Sequence, residues 1–172
     1  DGERFITAYR QVEFDFYVDR ISETRLWERI CDIAEVDMPQ RCSQADNSLW
    51  YEAFSTVYNP RKEMFEIVNK LKDAGYRLGL LSNTEMPSLK FFESQIYDNF
   101  DFSVFSCTEA TAKPDAKIYR IATQKAAQKA ENCLFIDDKP ENTAAAEKIG
   151  MRGLHFKSVE DLRSELKKFL SL

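Results

Sequence analysis

Two adjacent acids, Asp137-Asp138, close the apolar run Cys133-Leu134-Phe135-Ile136 and lead straight into Lys139-Pro140-Glu141-Asn142. Paired carboxylates at the end of a buried strand are costly unless a cation or hydrogen-bond donors compensate them. A hard divalent ion, Mg²⁺ above all, suits such oxygens, because it keeps several waters and accepts a substrate phosphate oxygen. An acidic turn is the plainer alternative. A second run, Arg77 to Leu81, ends in Ser82-Asn83-Thr84. A hydroxyl beside backbone N–H groups at a helix start suits an anion such as phosphate, although turn and capping chemistry uses the same residues. A third run, Phe102 to Ser106, is followed by Lys113-Pro114-Asp115. Pro114 sets the chain ahead of a helix capped by Asp115, and so sets where Lys113 points. A lysine held there can neutralise a phosphoryl oxygen in the transition state; a solvated surface lysine is the alternative. Hydroxyl, ammonium and acid pair together form the set that phosphoryl transfer requires.

These residues need elements to hold them, and the hydrophobic pattern supplies candidates. From Pro60 onward, strands alternate with helices. The spacing predicts helices over 61–74, 87–97, 115–130, 141–149 and 159–170, and strands over 77–82, 102–106, 133–137 and 152–156. Gly75 and Gly150 follow two of the helices, as glycine commonly does. Ser158 caps the last helix, with Asp161 in a capping-box-like position. Alternation of this kind predicts βαβ units, hence an α/β fold with a Rossmann-like parallel sheet covered by helices on both faces. Ligands in such sheets bind at the carboxyl ends of the strands, where the three polar groups fall.

The N-terminal third reads differently. Phe5, Tyr9, Val12 and Phe16 form one helical stripe, Ser22 caps a helix carrying Leu26, Trp27, Ile30 and Ile33, and a third helical stretch lies between Pro39 and Val57, interrupted near Asp46-Asn47-Ser48. The expectation is a small all-helical region over 5–57 joined to an α/β region over 58–172.

Composition narrows the function. The chain has 172 residues, 44% hydrophobic and 31% charged, which indicates one domain with at most a small insertion and excludes disorder. No apolar run reaches the roughly 20 residues that span a bilayer, and no signal-peptide pattern opens the chain. A net charge of −5, with basic residues scattered, argues against nucleic acid as a partner. Cys31, Cys42, Cys107 and Cys133 stand far apart with His155 the single histidine. That spacing supports neither a zinc site nor a Cys–His pair, and predicts reduced thiols in a cytoplasmic protein.

The motifs resemble those of the haloacid dehalogenase-like (HAD) hydrolases, in the subfamily with helical caps, over essentially the whole chain. Leu80-Leu81-Ser82-Asn83 looks like the family's second motif, whose hydroxyl binds the transferring phosphoryl group. Lys113-Pro114-Asp115 looks like the third, with Lys113 as its phosphate-neutralising lysine. Phe135-Ile136-Asp137-Asp138 through Asn142 looks like the fourth, the metal-binding motif. The resemblance implies Mg²⁺ on Asp138, assisted by Asp137 and with Asn142 behind them, Ser82, Asn83 and Lys113 on the phosphate, and the helical third as a cap.

The family's first motif, a strand ending in an aspartate nucleophile, is not found in residues 1–76. Val12-Glu13-Phe14-Asp15-Phe16-Tyr17 comes nearest, but it lies within the helical stripe and Tyr17 stands where a second acid belongs; Asp1-Gly2 has no strand before it. In the family that strand lies between those here at 77–82 and 133–137. Its loss would leave buried backbone groups unpaired at about 1–3 kcal/mol each. The resemblance therefore implies a strand and loop upstream of Asp1 in the native protein. The function expected is a Mg²⁺-dependent phosphatase of small phosphorylated metabolites, such as sugar phosphates, acting through an aspartyl-phosphate. A 2-haloacid dehalogenase, a phosphomutase and an inactive homologue that binds a protein partner are the alternatives.

Overall fold

The computed structural model describes residues 2–43, 48–94 and 99–169. In chain order, its helices and strands begin with α1 (Gly2–Tyr17), α2 (Glu23–Ala34), α3 (Leu49–Val57), α4 (Lys62–Asp73), β1 (Gly79–Ser82), α5 (Met86–Ser94) and β2 (Phe102–Phe105). They continue with α6 (Ser106–Glu109), α7 (Ala116–Ala126), β3 (Leu134–Asp137), α8 (Pro140–Lys148), β4 (Arg152–His155) and α9 (Val159–Phe169). The chain divides into two units. One comprises Asp1–Tyr58, Ser82–Ile96 and Phe105–Ala112; the other comprises Asn59–Leu81, Tyr97–Val104 and Lys113–Leu172.

The first unit is helical. Ala8, Val12 and Phe16 of α1 are buried against Leu26, Ile30 and Ala34 of α2. The expected stripe is thus shifted at its start: Ala8 takes the buried position, while Phe5 remains 40% exposed. Ser22 caps α2 by accepting from the Arg25 N–H, as its sequence position suggests. A 3₁₀ turn covers Gln40–Ser43, and Ser48 caps α3 by accepting from the Tyr51 N–H. Helix α3 therefore starts directly after the anticipated interruption, of which Asp46 and Asn47 lie outside the described residues. Trp50 on α3 is the hub of this core: Tyr9 stacks on it with centroids 5.4 Å apart, Phe16 meets it edge-on at 5.3 Å, and Trp27 lies at 6.0 Å.

The second unit is the α/β part. Strands β3 and β4 are parallel, with Leu134 opposite Arg152 and Asp137 opposite His155. Successive residues of a strand face opposite sides, and β3 demonstrates it. Phe135 packs into a core with Ile118, Tyr119 and Ala122 of α7 and Ala146 of α8, whereas Leu134 and Ile136 pack on Ile67 and Leu71 of α4 and Leu162 and Leu166 of α9. Helices thus cover both faces, which is the Rossmann-like α/β arrangement expected. Among the described residues, the strands pair as β1 with β2 and as β3 with β4.

Some boundaries differ from expectation. Helix α7 stops at Ala126, not near Ala130, because Ala127 adopts a left-handed φ of 52° and the Ala127 and Gln128 N–H groups turn back to Gln124 and Thr123. The strand expected through Ser106 ends at Phe105, and the buried Ser106 opens the short α6. The end of the helix expected to Tyr97, and Leu170 of the last helix, lie outside the described residues. Gly75 and Gly150 follow α4 and α8 with φ of 84° and 93°, a left-handed conformation that favours glycine.

Candidate active site

Strand β3 delivers its last residue, Asp137, to the carboxyl end of the sheet on the same face as Phe135. There the carboxylate is 8% exposed and surrounded by donors. Its Oδ2 accepts from Lys113 Nζ at 2.6 Å; its Oδ1 accepts from Asn142 Nδ2 and from the Lys139 N–H, both at 2.9 Å. The Lys139 contact closes a side-chain-to-backbone turn two residues on, a geometry aspartate readily adopts. Pro140 at the first position of α8 then starts a helix whose first turn returns Asn142 to the acid. The helix N-terminus adds a partial positive charge. Burial by itself would raise the Asp137 carboxyl, but the bonds from Lys113, Asn142 and the Lys139 N–H together outweigh it and hold the acid below its ordinary value.

Lys113 is equally constrained. Its ammonium lies 5.6 Å from the centre of the Phe135 ring and also donates to the Leu81 carbonyl at 3.1 Å. The side chains of Lys113 and Asp137 are 12% and 6% exposed, so this is a buried ion pair. The peptide between Lys113 and Pro114 is cis, and Asp115 caps α7 by accepting from the Lys117 N–H. The underside of the site is tied down by Tyr119, fully buried, whose hydroxyl donates to the Asn142 carbonyl at 2.9 Å.

Asp138 is different. It is exposed, and among the described residues its carboxylate has no hydrogen-bond or ion-pair partner; its backbone carbonyl lies 3.0 Å from Nε2 of His155, on the adjacent strand. No cluster of three or more metal-ligating side chains occurs among the described residues. The acid pair therefore offers one committed and one available carboxylate. That donor set fits a hydrated Mg²⁺, which binds through one or two carboxylates and fills its octahedron with water and substrate oxygens.

Of the residues singled out from sequence, Lys113, Asp137 and Asn142 are in direct contact, with Asp138 next in the chain. Ser82 and Asn83 belong to the helical unit and follow directly on Leu81, the lysine's carbonyl acceptor. Ser82 Oγ accepts from the Thr84 hydroxyl at 2.7 Å. The nearest nucleophile candidate, Asp15, is helical and held by Arg29 at 2.8 Å and Arg20 at 3.5 Å. Sequence reasoning missed Tyr119 as the support of Asn142 and the buried Glu85 beside the Ser82 segment. Nothing local in the sequence announces the partner of the Tyr119 hydroxyl, which lies 23 positions along the chain.

Comparison with known proteins agrees with the motifs. The family profile described as haloacid dehalogenase-like hydrolase matches residues 5–150. A curated relative, the sesquiterpene phosphatase astK of Aspergillus oryzae, is 32% identical over 98 residues, 56% of this chain and 50% of its own length. The chain thus spans half the length of that relative. Among solved structures, a HAD-like family hydrolase from Porphyromonas gingivalis superposes with a TM-score of 0.72 at 23% identity, covering 100% of this chain and 91% of the other. A HAD family enzyme from Bacteroides thetaiotaomicron, in complex with magnesium and inorganic phosphate, gives 0.66 at 19% identity, covering 91% and 87%. With three motifs in order, a Rossmann-like α/β unit and a profile match over most of its length, the chain belongs to the haloacid dehalogenase-like hydrolases.

Proposed function

We propose that the protein is a Mg²⁺-dependent phosphatase of small phosphorylated metabolites. The observation that carries this reading is the Lys113–Asp137–Asn142 cluster at the carboxyl end of β3 with an exposed Asp138 beside it. Asp138, assisted by Asp137, would hold the ion; when bound, Mg²⁺ supplies positive charge against the phosphoryl oxygens and the developing transition state. Ser82 and Asn83 bind the phosphoryl group through hydroxyl and amide donors. Lys113 neutralises it, and Asp137 fixes the direction of that ammonium. In this reading an aspartate nucleophile takes up the phosphoryl group as the leaving group departs, forming an aspartyl-phosphate which water hydrolyses. Residues 5–57 serve as the cap that excludes water and selects the leaving group.

Within that class, one observation favours a large apolar leaving group over a sugar. Tyr51, Phe54 and Tyr58 at α3 form a cluster with Phe91 and Phe92 of α5, with ring centroids 5.0–6.0 Å apart across the two helices, and α3 buries none of its residues. The relative from Aspergillus oryzae is named for a sesquiterpene substrate, and a prenyl monophosphate has the matching chemistry.

The test is hydrolysis by the full-length protein of an aryl phosphate, a hexose phosphate and a prenyl monophosphate, each with and without Mg²⁺. Release of inorganic phosphate that EDTA and Asp138→Ala abolish is the expected result, fastest on the prenyl ester. Chloride release from a 2-halo acid that ignores EDTA, or phosphate moving between sugar positions, would replace the reading with a dehalogenase or a mutase. Saturable Mg²⁺ binding without any turnover would indicate an inactive binding homologue.

A further inference from the structure

The helical unit contains a buried carboxylate that the proposed chemistry does not use. Glu85 stands three residues after Ser82, directly before α5, and is 6% exposed. Its Oε2 accepts from Trp50 Nε1 at 3.1 Å and from Ser88 Oγ at 2.9 Å. Trp50 is held in turn by its own backbone N–H, which donates to Glu23 Oε1 at 2.8 Å; the same oxygen accepts from Trp27 Nε1 at 3.1 Å. Around Glu85 stand Tyr9, Glu13 and Tyr17 of α1 and Cys107 of α6. A negative group there is expensive, and packing alone would be served better by a neutral residue of similar size. What the carboxylate supplies is a strong directional acceptor that fixes the indole.

The chain between Ser82 and Glu85 transmits that fixation. The Thr84 N–H donates to Ser106 Oγ at 2.9 Å, and Ser106 Oγ donates to the Thr84 carbonyl at 3.3 Å. The Thr84 hydroxyl donates to Ser82 Oγ at 2.7 Å. The Ser82 hydroxyl in turn donates to the Asn83 carbonyl at 3.4 Å, a long bond whose proton a charged phosphoryl oxygen, the stronger acceptor, can take over.

We propose that Glu85 is a positioning residue for the Ser82 hydroxyl, linking the aromatic core around Trp50 to the phosphoryl-binding segment. The inference rests on the reading of Ser82 as a phosphoryl ligand, and its test separates the two. The full-length protein is titrated with inorganic phosphate in the presence of Mg²⁺ while the indole N–H resonance of Trp50 is followed. Phosphate should shift that resonance in the native protein. Glu85→Ala should abolish the shift and weaken phosphate binding about tenfold, the effect of losing one charge-assisted hydrogen bond. Glu85→Gln keeps a carbonyl acceptor and should retain both the shift and, within about twofold, the affinity. Trp50→Phe should weaken phosphate as Glu85→Ala does. Saturable phosphate binding with an unmoved Trp50 signal, or equal affinity across all variants, overturns the positioning role and leaves the phosphatase reading intact. Absence of phosphate binding to the native protein overturns the role of Ser82 and this inference with it.

Discussion

Asp137 and Asp138 are chemically alike and one peptide bond apart, yet β3 turns the first inward to three donors and the second outward to solvent. Substitutions at the two should therefore separate stability from activity. Asp137→Asn strands the Lys113 ammonium in a buried place and should cost about 3 kcal/mol in urea denaturation. Asp138→Ala should change stability by less than about 0.5 kcal/mol while removing the metal-dependent rate. The two buried acids also respond oppositely to pH. Asp137 titrates below its ordinary value, so its stabilisation is complete above the unfolded pKa of about 3.9 and is lost as pH falls through the lower folded value. Glu85 is raised, by burial first, against the pull of its own backbone N–H, Ser88 and Trp50. The native state keeps its proton longer than the unfolded chain does. Stability from Glu85 is therefore complete below about pH 4.3 and declines as pH rises through the folded value. Glu85→Gln should flatten that decline, measured as the urea midpoint between about pH 4.5 and 7. The acid pair and Ser82 were legible as polar residues at strand ends, and Lys113 as a lysine just ahead of a capped helix. Which acid is committed and which available was not, because that depends on the side of the strand each faces.

At the scale of elements, close approaches decide what the strands tolerate. A methyl group on Gly79 of β1 would fall within the ring of Phe102 on β2. Gly79→Ala should then destabilise by about 1–3 kcal/mol, the usual cost of overpacking, read as a lowered melting temperature with no change in metal affinity. Removal of the Tyr119 hydroxyl in Tyr119→Phe should cost about 1 kcal/mol and loosen the first turn of α8, which holds Asn142. Two helix starts were read well from sequence because Ser22 and Asp115 cap through their own side chains, a local interaction, whereas Ser48, expected only as part of an interruption, caps α3. Helix ends were read less well. Ala127 takes a left-handed conformation that nothing about alanine announces, so the end of α7 was placed too late.

At the scale of the molecule, neither unit is one continuous stretch of chain. The helical unit takes in Ser82–Ile96 and Phe105–Ala112 as well as the first 58 residues. A protein beginning at Asn59 would lose the partners of those segments: Trp50 from Glu85, and Tyr51 and Phe54 from Phe91. It should bind a hydrophobic dye strongly and unfold with a shallower denaturant slope than the whole chain. Among the described residues, no helix is long and apolar enough to cross a membrane. The sequence by itself determined the α/β alternation, the helical character of the first third and the identity of the strand-end motifs. These follow from period, capping and residue type, all carried by neighbours in the chain. Only the tertiary structure decided that Lys113 closes on Asp137, that Tyr119 braces Asn142 and that Glu85 grips Trp50. Each joins residues 23 to 35 positions apart, and at such separations no local pattern records which side chains will meet.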